Sequence, residues 1–388
     1  MNVREDKYYR QGLLEGLEFK DIGAGGVQLR VSTLAEILHC PQEQAVKKVL
    51  ADYGHRLDSL PCLAQFPELT GMRECVLAYE RGLAESSGLT AEAIVVMRTY
   101  LYTVTQSMRS SDPALKPAAA TNEPGCTLIL FPKSDRGPLL ANNTDDVLRP
   151  NLGSQQVPPV WPVANRAGLI VGTVSSGLYD DEVSPEIFPV PVFLLLYELC
   201  STAKEAAQLL IKLNLFWGPC NCLVADGQGG AAVVEKSTCR FGLRESQDGF
   251  IATTAMAAEE PVFKNYLWES RERSLSQRGL DRTSVDWTYW KAAESRSQRL
   301  QDMVQSAKAN PTYAEIEAIA YDHTGEPDQL HMDGNLCHPE ETDPNWTLRT
   351  VIHVINEKAS TYSFAEPPLG GHLTDRHQKN FPNESPIF

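Results

Sequence analysis

A chain of 388 residues with 42% apolar and 22% charged side chains is ordinary for a soluble globular protein and long enough for one large domain or two medium ones. Its formal net charge of −15 argues against a nucleic-acid surface and against anionic membranes, and apolar runs such as PVFLLLYELC are about half the roughly 20 residues of a membrane span. Nine cysteines, irregularly spread behind an opening MNVREDKYYR without the apolar core of a secretory leader, predict a reduced cytoplasmic chain rather than a disulfide scaffold.

Residues 1–108 read as a helical segment. TLAEILHC, PQEQAVKKVLADYGHRL, MRECVLAYERGLAESSG and LTAEAIVVMRTYLYTVTQSM carry apolar residues at three- and four-residue spacing. Thr90 fits the N-cap of the fourth, with Glu92 in its first turn. RSSDPALKPAAATNEPG, residues 109–125, holds three prolines and little large apolar material and reads as a linker.

From residue 126 the pattern changes. CTLILFP and GPLLANN, joined by KSDRG, predict a β-hairpin, and AGLIVGTV a further strand. PVFLLLYELCSTAKEAAQLLIKL reads as one long helix. CNCLVAD and AAVVEKS flank a glycine-rich GQGG turn and form the clearest hairpin. CRFGLRE and GFIATTAM continue the sheet, AAESRSQRLQDMVQSAKA and TYAEIEAIAY predict two helices, and TLRTVIHVIN with ASTYSFAE a closing hairpin. The domain spans 126–370, and residues 371–388 read as a frayed tail. Strands, then helices, then strands predict an α+β layered domain rather than alternating βαβ units.

Several catalytic sets are missing: there is no G-x-S-x-G elbow and no Walker A loop. GQGG at 227–230 lies inside a hairpin and reads as a turn. Cys220 and Cys222 share one face of a strand, but no second pair completes a tetrahedral metal site, so they read as small buried hydrophobes. DHTGEPDQLHMD collects His323, His331 and three aspartates, in a loop-like composition that predicts solvated side chains.

Cys126 differs because its context makes chemical sense. A thiol at the head of a core strand is held by the sheet behind it, and Gly125 tolerates backbone angles that a β-carbon would forbid. That arrangement would let the thiol attack the Gly125 carbonyl, passing the chain from nitrogen to sulfur. Hydrolysis would leave Cys126 as a new N-terminus, whose α-amine, with a reference pKa of about 7.7–8, suits a general base for the neighbouring thiol. A buried structural cysteine is the alternative.

The order of segments then resembles the acyl-coenzyme A:6-aminopenicillanate acyltransferase family of N-terminal-nucleophile hydrolases. GCTLILFP…GPLLANNTDD is similar to its G-C-T start and N-x-D strand end, ANRAGLIVGTV to its F-N-x-A-G-V-A strand, and ESRSQRLQDMV to its S-x-x-R-x-x-R helix start. YDHTGEP…LCHPEE resembles its D-H…C-R-H segment, with the 220–237 hairpin, the closing hairpin and YYRQGLLEGLEF also in family order.

The resemblance implies a four-layer αββα sandwich, made as a zymogen and cut between Gly125 and Cys126. Segment 1–125 would stay bound as an α chain. Cys126 would be the nucleophile and Thr127 a brace. Asp145 would hold the α-amine or the substrate end with Asn143 in support, while Asn142 and Asn165 would line or support the pocket. The activity implied is hydrolysis or acyl transfer on a small-molecule amide, with no metal or cofactor.

Departures stand beside the matches. The family's T-N-H segment is IATTAMAA here, which puts Thr254 at the position of the oxyanion asparagine and Ala255 at the histidine. Losing one such donor costs about 10²–10³ in rate. Asn142 stands where relatives have arginine or glutamine, and NLCHPEE lacks the arginine between Cys337 and His338. A non-catalytic or non-cleaving relative, kept for binding or assembly, is the competing expectation.

Overall fold

The structure, a computed structural model, describes residues 1–59, 66–97, 126–147, 164–175, 192–213, 220–237, 240–246, 250–255, 257–277, 279–307, 310–322, 333–335, 345–357, 359–364 and 376–379. The linker 109–125, Gly125 included, falls outside them.

α1 (Val3–Ile37) starts at Asn2, whose side chain accepts from the Glu5 N–H while Glu5 reaches back to the Asn2 N–H, a reciprocal cap. α2 (Gln42–Ser59), α3 (Met72–Ser87) and helical residues 91–97 (α4) follow. The Thr90 Oγ1 accepts the Ala93 N–H at 3.2 Å, the cap that the spacing predicts for α4. α1 and α3 pack backbone to backbone. A β-carbon on Gly12 would lie 2.1 Å from the Tyr79 carbonyl oxygen, and one on Gly82 2.2 Å from that of Tyr9. Gly82→Ala is therefore expected to cost roughly 1–3 kcal/mol of stability through overpacking. Urea unfolding reads this directly, and an unchanged midpoint would show that the two helices separate without loss.

β1 (Thr127–Phe131) and β2 (Leu139–Val147) form the first hairpin, and β3 (Ile170–Ser175) follows. The single helix expected over 191–213 is two, α5 (Val192–Leu199) and α6 (Ala203–Lys212). Two side chains impose the break. The Asn165 Nδ2 donates to the carbonyls of Tyr197 (3.0 Å) and Cys200 (2.8 Å), occupying the end of α5. Thr202 and Glu205 form a capping box that restarts the chain as α6.

β4 (Cys220–Ala225), β5 (Ala231–Lys236) and β6 (Phe241–Glu245) join β3 in an antiparallel sheet ordered β3-β4-β5-β6. Next, β7 (Ile251–Thr254) leaves that sheet and pairs with β1, whereas the sequence reading kept it in line with its neighbours. The helices α7 (Pro261–Gln277), α8 (Val285–Ser306) and α9 (Tyr313–Ala320) precede β8 (Asp333–Asn335), β9 (Asn345–Val354) and β10 (Ala359–Phe364). In place of a frayed tail, β11 (Arg376–Lys379) pairs with β10. The larger sheet runs β11-β10-β9-β2-β1-β7, with β8 against β9. The class is α+β.

Alternation along β1 assigns its two faces. Leu128 and Leu130 enter one core with Ile170, Val174, Leu223 and Val233 of the smaller sheet. Ile129 and Phe131 enter another with Leu300 and Val304 of α8 and Ile316 and Ile319 of α9. The opposite face of the smaller sheet, through Cys222, Val224 and Val234, shares a core with α5, α6 and the N-terminal helices. Among the described residues, no helix is long and apolar enough to cross a membrane.

Candidate active site

Cys126 stands immediately before β1, which runs between β2 and the edge strand β7 of the larger sheet. Its carbonyl accepts the Ala255 N–H at 2.7 Å, so the ladder of β1 and β7 continues through the residue. The side chain is half-buried and packs against the core between the two sheets, a core that also takes Ala255, Trp290, Trp268 and Trp287. Close approach of the sheets is built in at Gly172 of β3, where a β-carbon would lie 3.1 Å from the Leu128 side chain.

Register sorts the expected site residues. Thr127 sits opposite Asn143 on one side and Thr254 on the other, and Asn143 sits opposite Thr350. Residues directly opposite in a ladder share a face, and this row has the parity of Ile129 and Phe131. It therefore lies toward α8 and α9, and the Asn143 Nδ2 accordingly donates to the Ala320 carbonyl at 2.8 Å. Cys126 and Ala255 belong to the other face, toward the smaller sheet. The hydroxyl of Thr254 and the thiol of Cys126 are thus on opposite sides of the sheet. Asn142, opposite Leu128, has the parity of the thiol face, and its Nδ2 donates to the Thr127 carbonyl at 3.1 Å.

The backbone of Asp145 lies two residues past Asn143 on β2, opposite Thr347 and just beyond a register shift at Thr144/Asp145. Asn165 is buried and fully engaged: besides ending α5, its Oδ1 accepts the N–H groups of Ala167 (3.0 Å) and Leu169 (2.9 Å). It shapes the turn into β3 and ties that turn to α5.

The remaining sequence candidates find structural places. Asp226 accepts from the N–H groups of Gln228, Gly230 and Ala203, so the GQGG stretch is a turn anchored to the start of α6. Cys220 and Cys222 are buried on the outer face of the smaller sheet. Burial pushes the Cys220 thiol up to about 11 and Cys222 well above its usual value; Cys75 rises to about 11 and Cys200 to about 12 for the same reason. Asp322 is held by the Arg299 guanidinium at 2.6 and 2.9 Å, while His323 and His331 lie outside the described residues. Among the described residues no group of His, Cys, Asp and Glu is arranged to hold a metal ion.

Three features escaped the sequence reading. Asn221 crosses from β4 to the end of β7 and to Ala257 beyond it. Glu235 on β5, fully buried, accepts from the Arg244 guanidinium and from the N–H groups of Glu259 and Glu260. Arg271 of α7 is buried, with its guanidinium 4.9 Å from the Trp268 ring and 5.2 Å from that of Trp290, and burial pushes it down to about 9. Lys291 sits 4.9 Å from the Trp268 ring, which meets the Trp287 ring edge-on at 5.0 Å. The apolar hairpin ending in a lone glutamate was a signal for Glu235; nothing in the sequence announced the other two.

No protein-family model and no curated protein matches this chain. Solved structures similar to it include penicillin V acylase from Agrobacterium tumefaciens, 12% identical over 62% of this chain and 83% of that one, with a TM-score of 0.38. Two variants of conjugated bile acid hydrolase from Clostridium perfringens are each 13% identical with a TM-score of 0.33, over 66% and 68% of this chain and 89% and 91% of theirs.

Proposed function

We propose that the chain is a self-processing cysteine amide hydrolase or acyltransferase of the N-terminal-nucleophile type, built as a four-layer αββα sandwich. One observation carries the reading: Cys126 heads β1, a strand paired on both sides by β2 and β7, and is half-buried at the core between the sheets with its carbonyl held by Ala255. A thiol so fixed meets the positional demand of a nucleophile. The scattered cysteines fit work in a reduced, cytoplasmic setting.

In the first step the Cys126 sulfur attacks the Gly125 carbonyl carbon. The Gly125–Cys126 amide bond breaks, the nitrogen takes up the thiol proton, and a thioester forms. Water then cleaves the thioester, giving the Gly125 carboxylate, the thiol and a free α-amine on Cys126. In turnover that amine accepts the thiol proton as sulfur attacks the amide carbonyl of a small molecule, then passes it to the departing amine. Water resolves the acyl-enzyme in a hydrolase, and a second amine does so in a transferase.

Asp145 is the residue proposed to hold the α-amine, and Asn142 a wall of the pocket on the thiol face. Thr127, Asn143 and Thr254 enter as one polar row on the face behind the thiol, held to α9 through Asn143, so Thr254 is proposed to support the site rather than to donate to the oxyanion. Asn165 supports it at one remove, through the turn before β3. No metal or cofactor has a part in these steps.

The intact mass of the purified protein tests the proposal beside a Cys126→Ala variant. Fragments of 1–125 and 126–388 in the wild type alone are expected. One uncut chain in both would overturn self-processing and favour a binding relative that keeps the fold, a reading consistent with Thr254 facing away from the thiol.

A further inference from the structure

Asn221 is fully buried on β4, a strand whose other residues toward the larger sheet, Leu223 and Ala225, are apolar. A carboxamide in such a place costs free energy unless it is hydrogen-bonded. Its Nδ2 meets three acceptors across the gap between the sheets: the Thr253 Oγ1 at 3.0 Å, the Thr254 carbonyl at 2.9 Å and the Ala257 carbonyl at 2.7 Å. Those acceptors bracket Ala255, whose N–H holds the Cys126 carbonyl. The route is short: side chain of β4, backbone of 254–257, backbone of the thiol residue. The segment also lies where β7 ends and the chain turns toward α7.

We infer that Asn221 is a positioning residue for Cys126, bracing from the opposite sheet the backbone on which the thiol is hung. The inference rests on the proposed role of Cys126 as nucleophile. Asn221 touches no reacting atom in this arrangement, because its amide hydrogens are directed to the acceptors on 253–257. Its Oδ1 is buried with no hydrogen-bond donor among the described residues. The side chain is therefore kept for what its nitrogen holds. Leucine or valine would fill the space without bracing the 254 and 257 carbonyls.

Asn221→Asp tests this, since it keeps the shape and replaces the donor with an oxygen that the same three acceptors repel. Two readouts are taken on the full chain: the rate of cleavage between residues 125 and 126, and iodoacetamide labelling of each cysteine by peptide mass. Cleavage slowed roughly 10–100-fold is expected, the scale of a misplacement near 1 Å. Labelling at Cys126 relative to half-buried Cys40 is expected to rise, with Cys75, Cys200, Cys220 and Cys222 still protected. General loosening would instead expose those four together, and that result would overturn the positioning role. So would wild-type values for both readouts.

Asn221→His, which keeps one ring N–H, carries the same test if the aspartate variant is insoluble: an intermediate rate is expected, and an unchanged one overturns the inference. If the wild type is never cut, the proposed function fails, while the ratio of Cys126 to Cys40 labelling still decides the role of Asn221.

Discussion

Glu235→Ala is expected to lower the unfolding free energy by roughly 3–5 kcal/mol, the scale for removing one partner of a buried ion pair. The Glu235 side chain is wholly inaccessible and that of its partner Arg244 is 20% exposed. Its two oxygens accept from the Arg244 Nε at 2.7 Å, from the Glu259 N–H at 3.0 Å and from the Glu260 N–H at 2.9 Å. Arg244 also donates to the Ala252 carbonyl at 2.9 Å, so one carboxylate ties β5 and β6 of the smaller sheet to β7 of the larger and to the start of α7. Alanine would take the acceptor from the Arg244 Nε and from two backbone N–H groups at once. Glu235→Gln keeps one acceptor oxygen and should fall between. Urea denaturation followed by far-UV circular dichroism measures both, and an alanine variant within about 0.5 kcal/mol of wild type would place it among ordinary surface substitutions and remove Glu235 as the tie between sheets.

The same tie shows what the sequence could and could not tell. Local grammar was legible wherever the cause was local. The proline and glycine before Cys126 marked the start of β1, and Thr90 marked the start of α4. The GQGG turn was readable because Asp226 caps it from within the hairpin. α5 and α6 were merged because apolar spacing runs on through ELCSTAKE, although Thr202 and Glu205 spelled a capping box there. The other cause of that break, Asn165, lies more than thirty residues upstream, and no window reaches it. α7 went unread despite Pro261 at its first position, since its apolar residues form no single stripe. β7 has the composition of its neighbours on the chain. Its ladder with β1, the burial of Ala252 against α8 and α9, and the reach of Asn221 and Arg244 across to it place it in the other sheet.

The site divides in the same way. The family resemblance groups Thr127, Asn143 and Thr254 with Cys126, and the register sets those three in one row across β2, β1 and β7. Which face each side chain takes depends on strand partners far away in sequence, so Thr254 could be read as a donor to the thiol site until β7 was placed. Alternation did group Cys220 with Cys222 and so left Asn221 on the other face. Which of those two faces meets the larger sheet was not readable from the strand.

Cutting the chain within 109–125 is expected to leave residues 1–108 bound to the remainder. One shared core explains why: Tyr8, Leu34, Val49, Met72, Val76 and Leu83 from the N-terminal helices bury against Leu194, Leu195, Leu210, Val224 and Val234. Each such side chain contributes about 1.5–3 kcal/mol when fully buried, so the two parts hold far more apolar surface in common than a transient contact needs. A polar clamp sets the register: Arg4 donates to Glu198 through Nε (2.7 Å) and Nη2 (2.9 Å), and the Tyr8 hydroxyl donates to the same carboxylate at 3.0 Å. Without the N-terminal helices, the part of this core that α5 and α6 do not close over would meet water.

A protease site placed in the linker makes the cut independently of any self-processing. Native mass measurement should then find both fragments in one particle, and mild urea should release an insoluble C-terminal part. Glu198→Ala should weaken the association by roughly 2–3 kcal/mol, about 30–150-fold, less than a fully buried pair because Arg4 is 25% exposed. Spontaneous separation of the nicked fragments in plain buffer would mean that the N-terminal helices are an appendage. The C-terminal part would then have to be stable with one side of this shared core open to water, which its buried apolar side chains argue against.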